Sequence, residues 1–191
     1  MSKNILIINA NPKSKSLCKS LSETYAKAVE GQNQVRVIHL HDLEFKINLE
    51  EGYDQNIPLE EDLEHFQQHL AWSQHIVIIS PVWWGSMPAK FKGLIDRTFL
   101  SGFAFKYEKG KTIPKKLLKG RTSEMIFTLD TPPLWYRWVQ GNVIYHQLKK
   151  TILAFSGIKN VSTTYFGPVI SAKKEQVDDW FIQTQKLAQK R

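Results

Sequence analysis

Two short runs dominated by isoleucine, residues 3–8 (KNILII) and 75–80 (HIVIIS), constrain this chain most strongly. Neither alternates with polar residues, and both are too short for a buried helix. Each therefore reads as a strand covered on both faces, the habit of a parallel sheet flanked by helices. Residues 34–40 (QVRVIHL), 123–129 (SEMIFTL) and 161–166 supply three more candidate strands. Between them, apolar residues recur at helical spacing. Leu17, Leu21, Tyr25, Ala28 and Val29 form one set, with Gly31 placed to end the helix. Leu59, Leu63, Phe66, Leu70 and Ala71 form a second, and Phe91, Leu94, Ile95, Thr98 and Phe99 a third. Residues 143–155, closed by Gly157, and 174–189 complete the helices.

Strand and helix in strict alternation make an α/β domain with helices on both faces of one sheet. Five strands in this rhythm suit a flavodoxin-like parallel sheet of order 2-1-3-4-5. At 191 residues, with no linker or repeat, the expectation is a single domain over residues 1–191. An apolar share of 42% against 23% charge excludes a disordered chain. No apolar run approaches the roughly 18 residues that span a bilayer, so membrane insertion is not expected. Cys18 is the only cysteine, and residues 5–8 are too short a run for a signal peptide, which together point to the cytoplasm.

In that strand order the loops after strands one and three meet where the outgoing helices diverge, which is where such sheets hold ligands. Both loops are chemically unusual. The first contains no glycine pattern for phosphate, but Lys13, Ser14, Lys15 and Ser16 precede a helix whose free amides favour an anion. Ordinary N-capping by Ser14 or Ser16 is the competing reading. The second carries Trp83 and Trp84 at a strand-to-helix turn, where folding alone favours Gly, Asp or Ser. Two indoles there make a platform for a flat ring, unless they only fill the core. A third loop, 128–136, contributes Asp130, Thr131 and Tyr136.

The run from Pro81 to Gly93 (PVWWGSMPAKFKG), continued by Asp96-Arg97 and by Gly102-Phe-Ala-Phe105, resembles the NAD(P)H:quinone oxidoreductases of DT-diaphorase type. Their pattern is P-x-x-W-x-x-x-P-A-x-x-K-G, then an acidic residue with Arg, then G-F-A-aromatic. The resemblance implies a bound flavin, FMN or FAD, with NAD(P)H as hydride donor and a quinone-type small molecule as acceptor, in a ping-pong cycle. Carried over by position, it implies flavin contacts from Asn11, Ser16, Leu17 and Cys18. It implies further contacts from Pro81, Val82, Trp83, Trp84 and Gly85, and from Thr128, Leu129, Asp130 and Thr131. Tyr136 would be the active-site tyrosine, with Trp84 beside it at the acceptor. Such enzymes are similar in working as homodimers, which would make the helix around Asp96 and residues 102–105 interface elements.

The chain departs from this pattern at three positions. Asn11 stands where histidine is frequent, Asp130 with Thr131 replaces paired glycines, and Asn142 replaces the histidine expected six residues beyond the tyrosine. A carboxylate at Asp130 must turn away, be protonated or find a cation if a reduced flavin carries charge nearby. A second reading is a flavin-binding ancillary subunit of a potassium-efflux system or another membrane partner. The chain carries a net charge of +8, and residues 106–121 hold seven cations against Glu108 alone, probing either for such a partner or for solvent. Nucleic acid is not expected as a partner. His65 and His69 lie at i,i+4 but lack a metalloprotease glutamate, so no metal is expected. Cys18 lacks the arginine six residues on that a cysteine phosphatase requires, since Thr24 stands there.

Overall fold

The computed structural model describes residues 2–54 and 57–191. Strands β1 (Asn4–Asn9), β2 (Gln34–His39), β3 (His75–Pro81), β6 (Thr122–Thr128) and β7 (Lys159–Phe166) form one parallel sheet in the order β2-β1-β3-β6-β7. This is the expected order, with two further short strands inserted in the numbering. Those are β4 (Phe105–Lys106) and β5 (Lys115–Lys116), a small antiparallel pair within the basic segment. Two-residue strands lie below what periodicity can reveal.

Every residue of β3 is buried, as is all of β1 beyond Asn4, because helices cover both faces. Alternate residues serve separate cores, as the two-residue strand period requires. On one face Leu6, Ile8, Ile76, Ile78, Met125 and Phe127 meet α2 (Glu61–Trp72), α3 (Ala89–Thr98) and the helical segment from Val143 to Ser156. On the other, Ile5, Ile7, Val77, Ile79 and Ile126 meet α1 (Leu17–Val29) and α7 (Lys174–Ala188). No helix among the described residues is long and apolar enough to cross a membrane.

Three local expectations are corrected. Gly31 follows the cap of α1 but does not take the left-handed conformation. The third loop contains a short helix, α4 (Pro133–Trp138), with Pro132 as its N-cap and Pro133 at its first position, where a missing N–H costs nothing. The single helix expected over 143–155 is divided. It runs as α5 (Val143–His146), a π-helical segment (Gln147–Leu153) and α6 (Ala154–Ser156), ended by Gly157 at φ 100° as expected.

Gly93 and Arg97 of α3 make their contacts within the chain. A Cβ at Gly93 would meet the backbone of Ile47 at 2.9 Å, so the bare glycine lets the acidic segment lie against the helix. Arg97, almost fully buried, donates to Lys46 O (2.7 Å), Pro58 O (3.3 Å) and Glu60 Oε2 (2.7 Å). Burial pushes the Glu60 carboxyl up, but the Lys46 amide and Arg97 outweigh it and hold the group below its ordinary range. Asp96 pairs with Lys92 at 2.6 Å.

Candidate functional site

β1 and β3 are neighbours whose following helices, α1 and α3, lie on opposite faces, so a crevice opens above their C-terminal ends. Two clefts occupy it. The larger, about 830 Å³, is lined by Val82, Trp83, Trp84, Gly85, Leu129, Asp130, Thr131, Tyr136, Gln140 and Val143. The smaller, about 230 Å³, is lined on one side by Asn11, Lys13, Ser16, Leu17 and Cys18. Val82, Trp83, Leu129 and Asp130 line both, so the two open on a common wall.

The first loop is held by asparagines. Asn9 Oδ1 accepts from the Asn11 amide (3.1 Å), and Asn11 Oδ1 accepts from the Lys13 amide (3.0 Å). These short turns aim the chain at Ser16, whose Oγ accepts from the Lys19 amide (3.2 Å) and caps α1. The capping reading therefore holds for Ser16, and its hydroxyl proton stays free to donate. The amides of the first helical turn have no preceding turn to bond, which leaves a weakly positive end beside Lys13. Ser14 is exposed and lines neither cleft. Cys18 is buried with Sγ 3.3 Å from Thr128 Oγ1, and burial pushes its thiol up to about 11, so it is a neutral packing group.

The second loop is a tight turn. Trp83 and Ser86 exchange both backbone hydrogen bonds at 2.9 Å, with Trp84 (φ 49°) and Gly85 (φ 76°) between them. Both central residues thus lie in the left-handed region, the signature of a type I′ turn. Gly85 suits it; a tryptophan at Trp84 costs about 1–3 kcal/mol in backbone strain. Nor does that indole recover the cost in the core, for it is fully exposed, and Trp83 is 42% exposed. Packing thus does not account for either residue.

The third loop braces the second. The buried Tyr136 hydroxyl donates to Gly85 O (2.7 Å) and accepts from the Ile144 amide (3.0 Å). The hydroxyl proton of the tyrosine expected at the active site is thus committed to Gly85. Burial also pushes the Tyr136 phenol above its ordinary range, partly offset by the Ile144 amide. Ser86 Oγ bonds Gln147 Oε1 (3.2 Å) at the start of the π-helical segment, and Val82 N donates to Thr128 O (2.8 Å).

A family model described as a flavodoxin-like fold matches residues 3–187. The chain belongs to the flavodoxin-like family. An uncharacterised NAD(P)H oxidoreductase of Haemophilus influenzae is 28% identical to it over 175 residues, 87% of this chain and 84% of that protein. The NAD(P)H:quinone oxidoreductase of Methanothermobacter marburgensis superimposes with a TM-score of 0.78 at 20% identity, covering 99% of this chain and 98% of that one. An FMN-dependent NADH-azoreductase of Bacillus anthracis, solved with FMN, gives a TM-score of 0.71 at 22% identity, over 97% and 98%. At these identities the two structures establish the fold.

Within this flavodoxin-like frame, the loop residues singled out from sequence converge, with Ser14 and Lys15 the exceptions. Asp130 finds a partner in the backbone: its Oδ1 accepts from the Ile170 amide at 2.9 Å. Asn142, at φ 51°, accepts from the Tyr165 hydroxyl (2.9 Å) and fills a structural role. Gln140, Val143 and Val169 line the clefts without having been read from sequence. The Gly141-Asn142 pair, two residue types that tolerate left-handed backbone, was the available signal for the turn that brings Gln140 and Val143 inward. Among the described residues no group of three or more His, Cys, Asp or Glu is placed to hold a metal.

Proposed function

We propose that this chain is an NAD(P)H-dependent flavoenzyme that delivers hydride to a small quinone-type acceptor. One observation carries the reading: the strained, fully exposed Trp84 stands in the wall of a cleft that adjoins an anion-suited helix end. A flat aromatic ring with an anionic tail is the ligand such a pair of clefts fits. Trp83, Trp84 and Leu129 supply ring walls, and the Val82–Gly85 backbone supplies polar contacts. Thr128, Asp130 and Thr131 face the ring's other polar edge. Asn11, Lys13, Ser16 and the first amides of α1 hold the phosphate.

The flavin, when bound, supplies the hydride chemistry. The protein's own residues orient the ring and fix the loops. Tyr136 serves as a positioning residue that locks Gly85, and so Trp84, in place; an acceptor's proton then comes from water in the open cleft. One cleft serves donor and acceptor in turn, giving ping-pong kinetics.

Val143, exposed, lines the cleft with Trp84, and Leu134, Trp135, Trp138 and Val139 on and just after α4 are exposed as well. A second copy of the chain covering these side chains would close the cleft, so the working form is a homodimer. A cytoplasmic location is the one that suits use of NAD(P)H as donor, and the single buried Cys18 is compatible with it.

The deciding experiment is the visible absorbance spectrum of the purified protein, with mass analysis of the released species to separate FMN from FAD. Flavin bands and NADPH-dependent menadione reduction with parallel double-reciprocal lines are expected. A protein that neither purifies with nor takes up a flavin overturns the reading, and intersecting lines overturn the shared cleft.

A further inference from the structure

Among the described residues, Asp130 is the only acid that lines either cleft, and its charge stands uncompensated. No cation of the described residues lies within ion-pair distance of it. Its Oδ1 is taken by the Ile170 amide at 2.9 Å, while Oδ2 makes no bond to the described residues. The other titratable groups lining the clefts are Lys13, Cys18 and Tyr136. Burial keeps the last two neutral, pushing the Cys18 thiol up to about 11 and the Tyr136 phenol above its ordinary range. Lys13 belongs to the first loop, with the phosphate.

The backbone fixes where the Asp130 charge stands. Thr128, the last residue of β6, pairs with Pro81, and its carbonyl accepts from Val82 N at 2.8 Å. The third loop therefore leaves the sheet beside the Trp83–Ser86 turn. On its other side Leu129 N donates to Phe166 O, and Leu129 O accepts from Val169 N, both at 3.0 Å. Held between these neighbours, Asp130 lines both clefts at once. That position selects the part of a flavin it would meet. The phosphate tail leaves the ring at N10, so the wall common to both clefts borders N10. Beside that point the ring presents N1 on one flank and a benzenoid carbon on the other. The polar side chains of Thr128, Asp130 and Thr131 suit the N1 flank.

We propose that Asp130 withholds negative charge from the reduced flavin, so that the ring takes its second proton from cleft water at N1. This deepens the flavin reading and rests on it. Hydride transfer brings two electrons and one proton, and leaves one negative charge shared by N1 and the C2 oxygen. A carboxylate beside that edge disfavours the charge, and a proton from water removes it. In the second half of the cycle the ring gives hydride to the acceptor and the N1 proton to water. The acceptor takes one proton from the same water, so charge and protons balance. No acid of the protein is needed, in keeping with a Tyr136 proton committed to Gly85 and an Asn142 oxygen taken by Tyr165.

Potentiometric titration of the FMN-loaded full chain across a range of pH tests this. A two-electron couple shifts by about 30 mV per pH unit for each proton taken up. With rising pH the parent potential should fall by about 60 mV per unit up to a break, then by about 30 mV. An exposed carboxylate acting across a wet cleft is worth about tenfold, between the limits for a contact pair in water and at a protein surface. In Asp130→Asn, which keeps an oxygen for the Ile170 amide, the break should fall about one pH unit lower. Well above the break the variant's potential should be about 30 mV higher, and below it the two curves should meet. Asp130→Glu, which keeps the charge, should follow the parent. Coincident curves for Asp130→Asn overturn the proposal and leave flavin binding intact. A shift equal at every pH, or a Glu variant that behaves as the Asn variant does, also overturns it, by assigning the role to the Ile170 bond. A chain that takes up no FMN overturns the flavin reading, and the proposal with it.

Discussion

Tyr136→Phe separates a residue that positions from one that donates protons. The substitution keeps the ring and deletes only the hydroxyl, which links Gly85 O at 2.7 Å to the Ile144 amide at 3.0 Å. Ile144 is fully buried, so its N–H is left without a partner, at a cost of about 1–3 kcal/mol. The bond to Gly85 O is worth about 1 kcal/mol more, since that carbonyl borders an open cleft where water can replace the phenol. Together the variant should lose about 2–4 kcal/mol. With a urea m-value of about 2 kcal/mol/M, the unfolding midpoint should drop by about 1–2 M.

The second readout is flavin affinity, followed by fluorescence titration of the apoprotein. With Gly85 released, the Trp84 turn loses its brace and the dissociation constant should rise. At saturating flavin the turnover number should stay within a few-fold of the parent. If Tyr136 instead protonates the acceptor, the pattern reverses, with turnover falling while stability and flavin affinity hold. A stability loss below about 0.5 kcal/mol would refute the bracing argument outright.

Trp84→Gly should relieve the left-handed strain and raise stability by about 1 kcal/mol while weakening flavin retention; a thermal melt and a flavin titration read the two opposed effects. Gly167→Ala places a Cβ against the backbone oxygens of Leu129 and Thr131, so it should destabilise by about 1–3 kcal/mol and shift the third loop, lowering flavin affinity. His75, buried and bonded through Nδ1 to Thr122 Oγ1 at 2.7 Å, has its pKa lowered to about 3 by burial and then by Arg191 and Lys3. The unfolded chain thus binds the extra proton between about pH 6.5 and pH 3, so stability is full above about 6.5 and falls on acidification. The loss is about 2 kcal/mol by pH 5 at 1.36 kcal/mol per unit. Urea melts of His75→Asn should lack that part of the slope; an unchanged slope would assign it to other groups.

The sheet was legible because its central strands are apolar on both faces, and nothing but a covered parallel sheet accommodates residues 5–8 and 76–79 together. Where the reading missed, the local pattern fitted more than one backbone conformation. Thr131-Pro-Pro reads locally as a turn, yet Pro133 begins α4 because a proline at a first helical position loses no bond. The π-helical segment after His146 was hidden because its apolar residues, Leu148 and Leu153, fit a helix of either register. Trp83 and Trp84 were legible as misplaced aromatics. The reason they stand outside the core is a turn conformation that no side-chain pattern encodes.

The three departures from the quinone-reductase pattern share a physical feature. Asn11 closes a turn onto the Lys13 amide, Asp130 holds the Ile170 amide, and Asn142 takes the Tyr165 hydroxyl from a left-handed position. Each uses its polar atoms on the protein's own frame, as Tyr136 does. Thr128 sits at the junction, with its hydroxyl beside Cys18 of the first segment and its carbonyl accepting from Val82 of the second. Each such bond is worth only about 1 kcal/mol net, but groups in one network couple, so the loops respond as a unit. A rim fixed in this way meets a ligand without first paying to order itself. On the proposed function, the indole walls would select what enters, and the polar residues set how firmly those walls stand.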